Sequence, residues 1–273
     1  MSKLQLGVMQ SRLSTKPKHA YQGFNELWWD TEFLIAKRLG FDYIEWICDN
    51  NPGNLAHDER NWDKVVRVCN DSQVKVKAVC ADYFVKNMLN ADNKYLLLGI
   101  INFAAYIEAD KVVLPFVDES SLKKQIFYLA SLKDFLKDPL KTCWRKRINL
   151  CLELDLPPKT VADFLKHVDH QNLKICYDTG NSAAEGYNPN DEFDAYGQYI
   201  NHVHIKDRVL HGESVKLGTG AVNFKTIFNR LKDLNYAGTM TYQGVRAEEN
   251  INQLSSVEDQ MLILKSNLER YYN

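Results

Sequence analysis

Four short apolar runs in this chain each end in side chains that can ligate a metal or move a proton. Cys151-Leu-Glu153-Leu-Asp155 and Leu173-Lys-Ile-Cys-Tyr-Asp178-Thr-Gly-Asn181 close on carboxylates. His202-Val-His204-Ile-Lys206-Asp207-Arg208 carries two imidazoles and two cations, and Met240-Thr-Tyr-Gln243 ends in an amide. Glu153, Asp178 and His204 together supply two hard carboxylates and one imidazole. That set suits a divalent metal ion, Mn²⁺, Mg²⁺, Co²⁺ or Zn²⁺, with positions left open for a substrate's hydroxyl and carbonyl oxygens. Gln243 can add a neutral amide oxygen.

These groups meet only if the runs are neighbouring strands. Apolar or period-2 runs occur near 4–9, 43–47, 75–81, 111–115, 148–154, 173–178, 201–206 and 239–243. Helical spacing lies between them, most clearly at Phe224, Ile227, Phe228, Leu231 and Leu234, and again at Met261, Leu264 and Leu268. Alternating strands and helices force parallel strands, and eight such units close into a (β/α)8 TIM barrel of the α/β class. A doubly wound open sheet competes, but its Gly-rich first turn is absent from Val8-Met-Gln-Ser-Arg12-Leu-Ser-Thr. No Pro-, Gly- or Ser-rich linker divides the chain, so 1–273 reads as one domain. Polar loops near 10–25 and 48–60, with Pro17, Pro52, Gly53, His19 and His57, are expected as lids on the C-terminal face.

In a closed barrel strand eight lies beside strand one, which would bring Arg12, Lys206, Arg208 and Arg246 to one arc of the rim. Loops after strands seven and eight commonly hold phosphate in this fold, and Arg donates bidentately to phosphate or carboxylate. This reading implies an anionic substrate. The bland alternative is that Arg208 and Arg246 pair with local acids such as Asp207 and Glu248. Gly218-Thr-Gly220 could set backbone N–H groups near an anion or form an ordinary turn. His202 is assigned to the strand face opposite His204, as a packed or supporting group.

The 34 basic and 35 acidic residues are interspersed, leaving a net charge of −1 and no basic stripe of the kind that tracks nucleic acid. No apolar run approaches the ~20 residues of a membrane span, and no signal peptide is evident. Six cysteines without a Cys-x-x-Cys pattern sit largely in apolar runs and read as reduced thiols of a cytoplasmic protein. A homo-oligomer is compatible with all of this.

Over nearly its whole length the chain resembles the sugar phosphate isomerase/epimerase family, the xylose isomerase-like TIM barrels. Leu6-Gly-Val-Met-Gln-Ser-Arg12-Leu is similar to that family's first strand, Tyr43-Ile-Glu45-Trp-Ile to its second, Val79-Cys-Ala-Asp82-Tyr to its third and Val113-Leu-Pro-Phe-Val-Asp118 to its fourth. The resemblance implies metal ligands at Glu153, Asp178 and His204, and a fourth ligand where Gln243 stands in place of the usual Glu. Asn181 likewise stands where several relatives carry His.

An amide cannot take up a proton at neutral pH, so a two-base epimerisation by Glu153 and Gln243 is not expected. What remains is a one-base scheme in which Glu153 shuttles a proton on a metal-chelated enediolate, or one in which Lys206 or Glu45 replaces the missing partner. The resemblance thus implies a divalent-metal-dependent isomerase or epimerase of a small sugar, sugar phosphate or sugar acid. Glu153, Lys206 and Gln243 sit at the reacting centre, and Arg12, Glu45, Asn181, Arg208 and Arg246 at the substrate. A dehydratase on the same metal, or a sugar-binding barrel without turnover, are the alternatives. A nuclease is the weakest of the readings.

Overall fold

The computed structural model describes residues 4–15, 22–85, 90–123, 128–247 and 252–272. Eight parallel strands close on themselves. They are β1 (Gln5–Met9), β2 (Tyr43–Ile47), β3 (Lys75–Cys80), β4 (Lys111–Phe116), β5 (Asn149–Leu154), β6 (Leu173–Asp178), β7 (Ile200–Ile205) and β8 (Thr239–Tyr242). Strand β1 pairs with β2 on one side and β8 on the other, with Gly7 opposite both Tyr43 and Thr241. The closed (β/α)8 barrel is the architecture that the strand and helix alternation implied.

Helices α1 (Thr31–Leu39), α2 (Trp62–Ser72), α3 (Ala91–Tyr106), α4 (Tyr128–Lys146) and α5 (Pro158–Val168) follow the first five strands. A short α6 (Thr179–Ala184) comes directly off β6, then α7 (Pro189–Tyr196), α8 (Phe224–Asp233) and α9 (Gln253–Tyr271) complete the wrapping. Helix α8 shows why: Asn223 caps its first turn by accepting from the Thr226 N–H, and Phe224, Ile227, Phe228 and Leu231 form one buried stripe. Leu234 falls just past the helix end and is 40% exposed, so it does not extend that stripe.

Side chains alternate along a strand, so every second residue points into the barrel. Met9, Ile47, Cys80, Val113, Cys151 and Cys176 fill one interior layer with apolar volume. Three cysteines of that layer act as small hydrophobes, and all six in the chain are free. Two residues further along β5 and β6 the same parity delivers Glu153 and Asp178 to the C-terminal mouth.

The loops after β1 and β2 are tied together at Asp49, whose carboxylate accepts from the Phe24 N–H at 2.8 Å and from Asn54 Nδ2 at 3.0 Å. His57 Nε2 lies 2.7 Å from the Asp49 carbonyl, a contact within its own loop. Pro17, His19 and Glu248 lie outside the described residues. Among the described residues, no helix is long and apolar enough to cross a membrane.

Candidate active site

Glu153, Asp178 and His204 come together at the mouth, each with one possible ligand atom within 4.8 Å of the other two. Asp178 and His204 are register partners across β6 and β7. His204 Nδ1 lies 3.5 Å from Glu153 Oε2 and 3.8 Å from Asp178 Oδ2, and all three residues are buried. Its other ring nitrogen, Nε2, faces Glu45 at 3.0 Å. A carboxylate holding one imidazole N–H fixes the tautomer and leaves the second nitrogen as a lone-pair donor.

A divalent cation fits this set on the chain's own evidence. Buried Nδ1 of His204, Oε1 of Gln243 and Oδ2 of Asp178 have no hydrogen-bond partner, although the Lys206 ammonium stands 3.0 Å from Asp178 Oδ2 as an ion pair. Buried polar atoms without partners are rare in folded proteins and point to a missing ligand. The charges agree. Burial and the neighbouring Asp178 raise Glu153 above the usual carboxylate range, against the pull of His204. Burial works to raise Asp178 too, but Lys206 and His204 outweigh it and hold it low. Burial disfavours a charged His204, yet Cys176, Glu45 and Asp178 push its pKa up, so the cluster recruits positive charge even from its imidazole.

Glu153 is oriented from its other oxygen. Asn181 Nδ2 donates to Glu153 Oε1 at 2.7 Å, and Asn181 Oδ1 accepts from Arg208 Nη1 at 2.8 Å. A neutral amide thereby couples a guanidinium to the carboxylate while Oε2 stays turned to the mouth. Asn181 is placed by Asp178, which accepts its backbone N–H at 2.7 Å and caps α6. Gly180 permits the approach, since a Cβ there would lie 2.5 Å from Lys206 Cγ.

The cleft above these residues has a volume of about 540 Å³. Arg12, Lys206, Arg208 and Gln243 line it, as anticipated, together with Glu153. So do Gln22 and Asp82, which strand-end inspection does not single out as site residues. Gln22 bridges the cleft: its Oε1 accepts from Arg12 Nη2 at 2.8 Å and Gln243 Nε2 at 3.0 Å, while its Nε2 donates to Asp82 at 2.8 Å. Burial, with Asp49 and Glu153 adding to it, pushes Asp82 up to about 6 against the hydrogen bond from Gln22.

Three expectations are corrected. His202 shares the interior face with His204, because residues two apart on a strand point the same way. Its Nε2 lies 2.7 Å from Glu45 and its Nδ1 2.6 Å from Thr239 Oγ1, and burial pushes its pKa down to about 4. Glu45 does not line the described cleft: it is fully buried against His204, and although burial works to raise its pKa the two imidazoles hold it well below the usual range. The nearby grouping of Cys176, His202 and His204 needs no ion, since both nitrogens of His202 are already engaged.

Arg246 is likewise absent from the cleft. It is 8% exposed and donates from Nη2 to the Ser11 carbonyl at 2.5 Å and Ser11 Oγ at 2.8 Å, and from Nη1 to the Ser14 carbonyl at 3.3 Å. Ser11 is left-handed, with φ of 66°, and its N–H bonds the buried Glu32 carboxylate at 2.8 Å. Arg246 and Glu32 therefore clamp a strained turn that sets Arg12 at the rim. Glu32 belongs to no motif of the sequence, and the clamp alone reveals it.

A family model described as a xylose isomerase-like TIM barrel matches residues 33–266. The L-ribulose-5-phosphate 3-epimerase of Salmonella paratyphi A is 23% identical over 228 residues, covering 77% of this chain and 80% of that protein. Among solved structures, the IOLI protein with a bound zinc atom superposes with a TM-score of 0.77 at 17% identity, over 98% of this chain and 99% of that one. A D-psicose 3-epimerase crystallised in the presence of D-fructose gives 0.75 at 15% identity, over 97% and 99%. At such identities the structural likeness concerns the fold.

Proposed function

The chain belongs to the xylose isomerase-like TIM-barrel family, and on that premise we propose that it is a divalent-metal-dependent isomerase or epimerase of a small sugar. The observation that carries this reading is the convergence of Glu153, Asp178 and His204 around orphaned buried donor atoms at the mouth of the barrel. The names of the relatives, an L-ribulose-5-phosphate 3-epimerase and a D-psicose 3-epimerase, support the substrate class.

Glu153, Asp178 and His204 would hold the ion, with Gln243 Oε1 as a neutral fourth donor. When bound, the ion supplies positive charge against the substrate's carbonyl and adjacent hydroxyl oxygens. Glu153 takes the proton from the carbon beside the carbonyl: the C–H bond breaks, its electrons pass into the enediolate, and the proton rests on the carboxylate. Asn181, itself held by Arg208, donates to Glu153 Oε1, so the base keeps one geometry through the step. The Lys206 ammonium, 3.0 Å from Asp178, donates toward the developing oxygen charge.

Return of the proton to the neighbouring carbon, with the hydroxyl proton passing from one enediolate oxygen to the other, isomerises the sugar. Return to the opposite face requires a second donor, which Gln243 cannot be. The experiment is metal-loaded protein incubated with free and phosphorylated ketoses and aldoses in deuterated water. Deuterium at the carbon beside the carbonyl, abolished by Glu153→Gln, supports the reading. An undisturbed panel rejects it, and loss of water from the sugar identifies a dehydratase instead.

A further inference from the structure

Loops after strands seven and eight are where this fold commonly binds phosphate, and here that place is taken. After β7 the chain forms a small antiparallel ribbon, Asp207–Arg208 with Ser214–Val215, and turns through Gly218 and Gly220 into α8. The Asp207 carboxylate, completely buried, accepts three backbone N–H groups: Gly218 and Gly220 at 2.9 Å on Oδ2, and Val222 at 3.1 Å on Oδ1. Gly220 is needed for the fit, because a Cβ there would lie 2.3 Å from Asp207 Oδ1. An anion does sit against the glycine turn, and it is the chain's own.

The cations of the cleft are engaged as well. Arg12 donates to the Gly244 carbonyl and Gln22, and Lys206 faces Asp178. Arg208 donates to the Gly212 carbonyl, Asn181 and Asp118. Against these three cations stand the five carboxylates of the described lining, Asp82, Asp118, Glu119, Glu153 and Glu213, and the Asp178 carboxylate that faces Lys206, so three minus six leaves −3, which one divalent ion brings to −1. A phosphate monoester would then add about −1.5 to −2 of charge to a cleft whose described cations, Arg12, Lys206 and Arg208, all hold partners of their own. Sugar hydroxyls, by contrast, are donors that the carboxylates can accept.

Resting on the isomerase reading above, we propose that the substrate is an uncharged, unphosphorylated polyhydroxy sugar, recognised by carboxylate acceptors in a cleft whose phosphate cradle Asp207 has closed. The fold's anion-binding apparatus has become a structural turn.

The test is calorimetry of the metal-loaded protein with inorganic phosphate and with matched pairs, D-fructose against D-fructose 6-phosphate and D-ribulose against D-ribulose 5-phosphate. Expected are no heat with phosphate at millimolar concentration, and free-sugar binding at least about tenfold tighter than its phosphate, the scale of one uncompensated like-charge contact. A sugar phosphate bound more tightly than its free sugar, or no free-sugar binding at all, overturns the proposal. Free-sugar binding without solvent exchange overturns only the isomerase reading. Asp207→Ala should open the cradle and gain phosphate affinity, and should this variant fail to fold, the matched pairs still decide.

Discussion

The β5–β7 arc and the β8–β1 seam of this barrel both bury charged and polar side chains, yet they are built for opposite ends. In the arc, His204 Nδ1 and Asp178 Oδ2 are left short of hydrogen-bond partners beside Glu153, which lines the cleft. In the seam, Glu32, Ser11, Ser14 and Arg246 use their polar atoms on one another. The difference teaches that an ionisable residue at a strand end marks chemistry only where its hydrogen-bonding capacity is unspent. Glu45, Asp207 and Arg246 are equally ionisable, and each is satisfied internally.

The comparison breaks most visibly at Glu153. Glu153→Gln keeps volume and removes the base, so solvent exchange should fall by about 10²–10⁴-fold with an unchanged circular dichroism spectrum. An unaffected exchange rate would move the base elsewhere.

In the seam the loss should appear as stability instead. Arg246→Met leaves the Ser11 and Ser14 carbonyls and the Glu32 carboxylate without their cation, at a cost of about 3–5 kcal/mol. Urea unfolding should record it, while metal affinity measured by titration stays near that of the parent.

The same seam should have a pH signature. Burial pushes Glu32 up to about 7 from an ordinary 4.5, against the Ser11 and Leu13 N–H groups, Ser14 and Arg246. A carboxyl raised on folding stabilises fully below its unfolded pKa and loses that contribution as pH climbs through the folded one. Unfolding free energy should therefore drop by up to about 3 kcal/mol between pH 4.5 and 8, and Glu32→Gln should flatten that slope. A slope that survives the substitution would assign it to other groups.

The smallest expected effect lies between the two regions, at the buried carboxylate beneath His204. Glu45→Gln keeps a hydrogen-bond acceptor but removes the charge that orients and polarises the imidazole, and should weaken metal binding by about 10–100-fold. Equal weakening by Glu45→Gln and Arg246→Met would erase the distinction between arc and seam.

The strand runs were legible because each is a continuous β-branched or apolar stretch whose burial on both faces needs no long-range information. β6 begins at Leu173 and ends at Asp178, as its composition suggests. Parity within a strand then places Glu153, Asp178 and His204 on one face, and His202, two residues from His204, on that face as well. Gln22 and Glu32 were not legible as parts of a site. Their partners are Asp82, Gln243, Ser11 and Arg246, and no local pattern encodes pairings across so much chain.

Sequence alone determined the alternation, the closed barrel and which residues stand at the ends of its strands, because hydrophobic period and side-chain alternation are local properties. Tertiary structure alone decided which of those residues are spent. Whether the Asp207 carboxylate meets a substrate or three backbone N–H groups, and whether Arg246 reaches a ligand or a strained Ser11, depends on what the closed barrel brings beside them. Partners at that range are set by closure and packing, which no single segment contains.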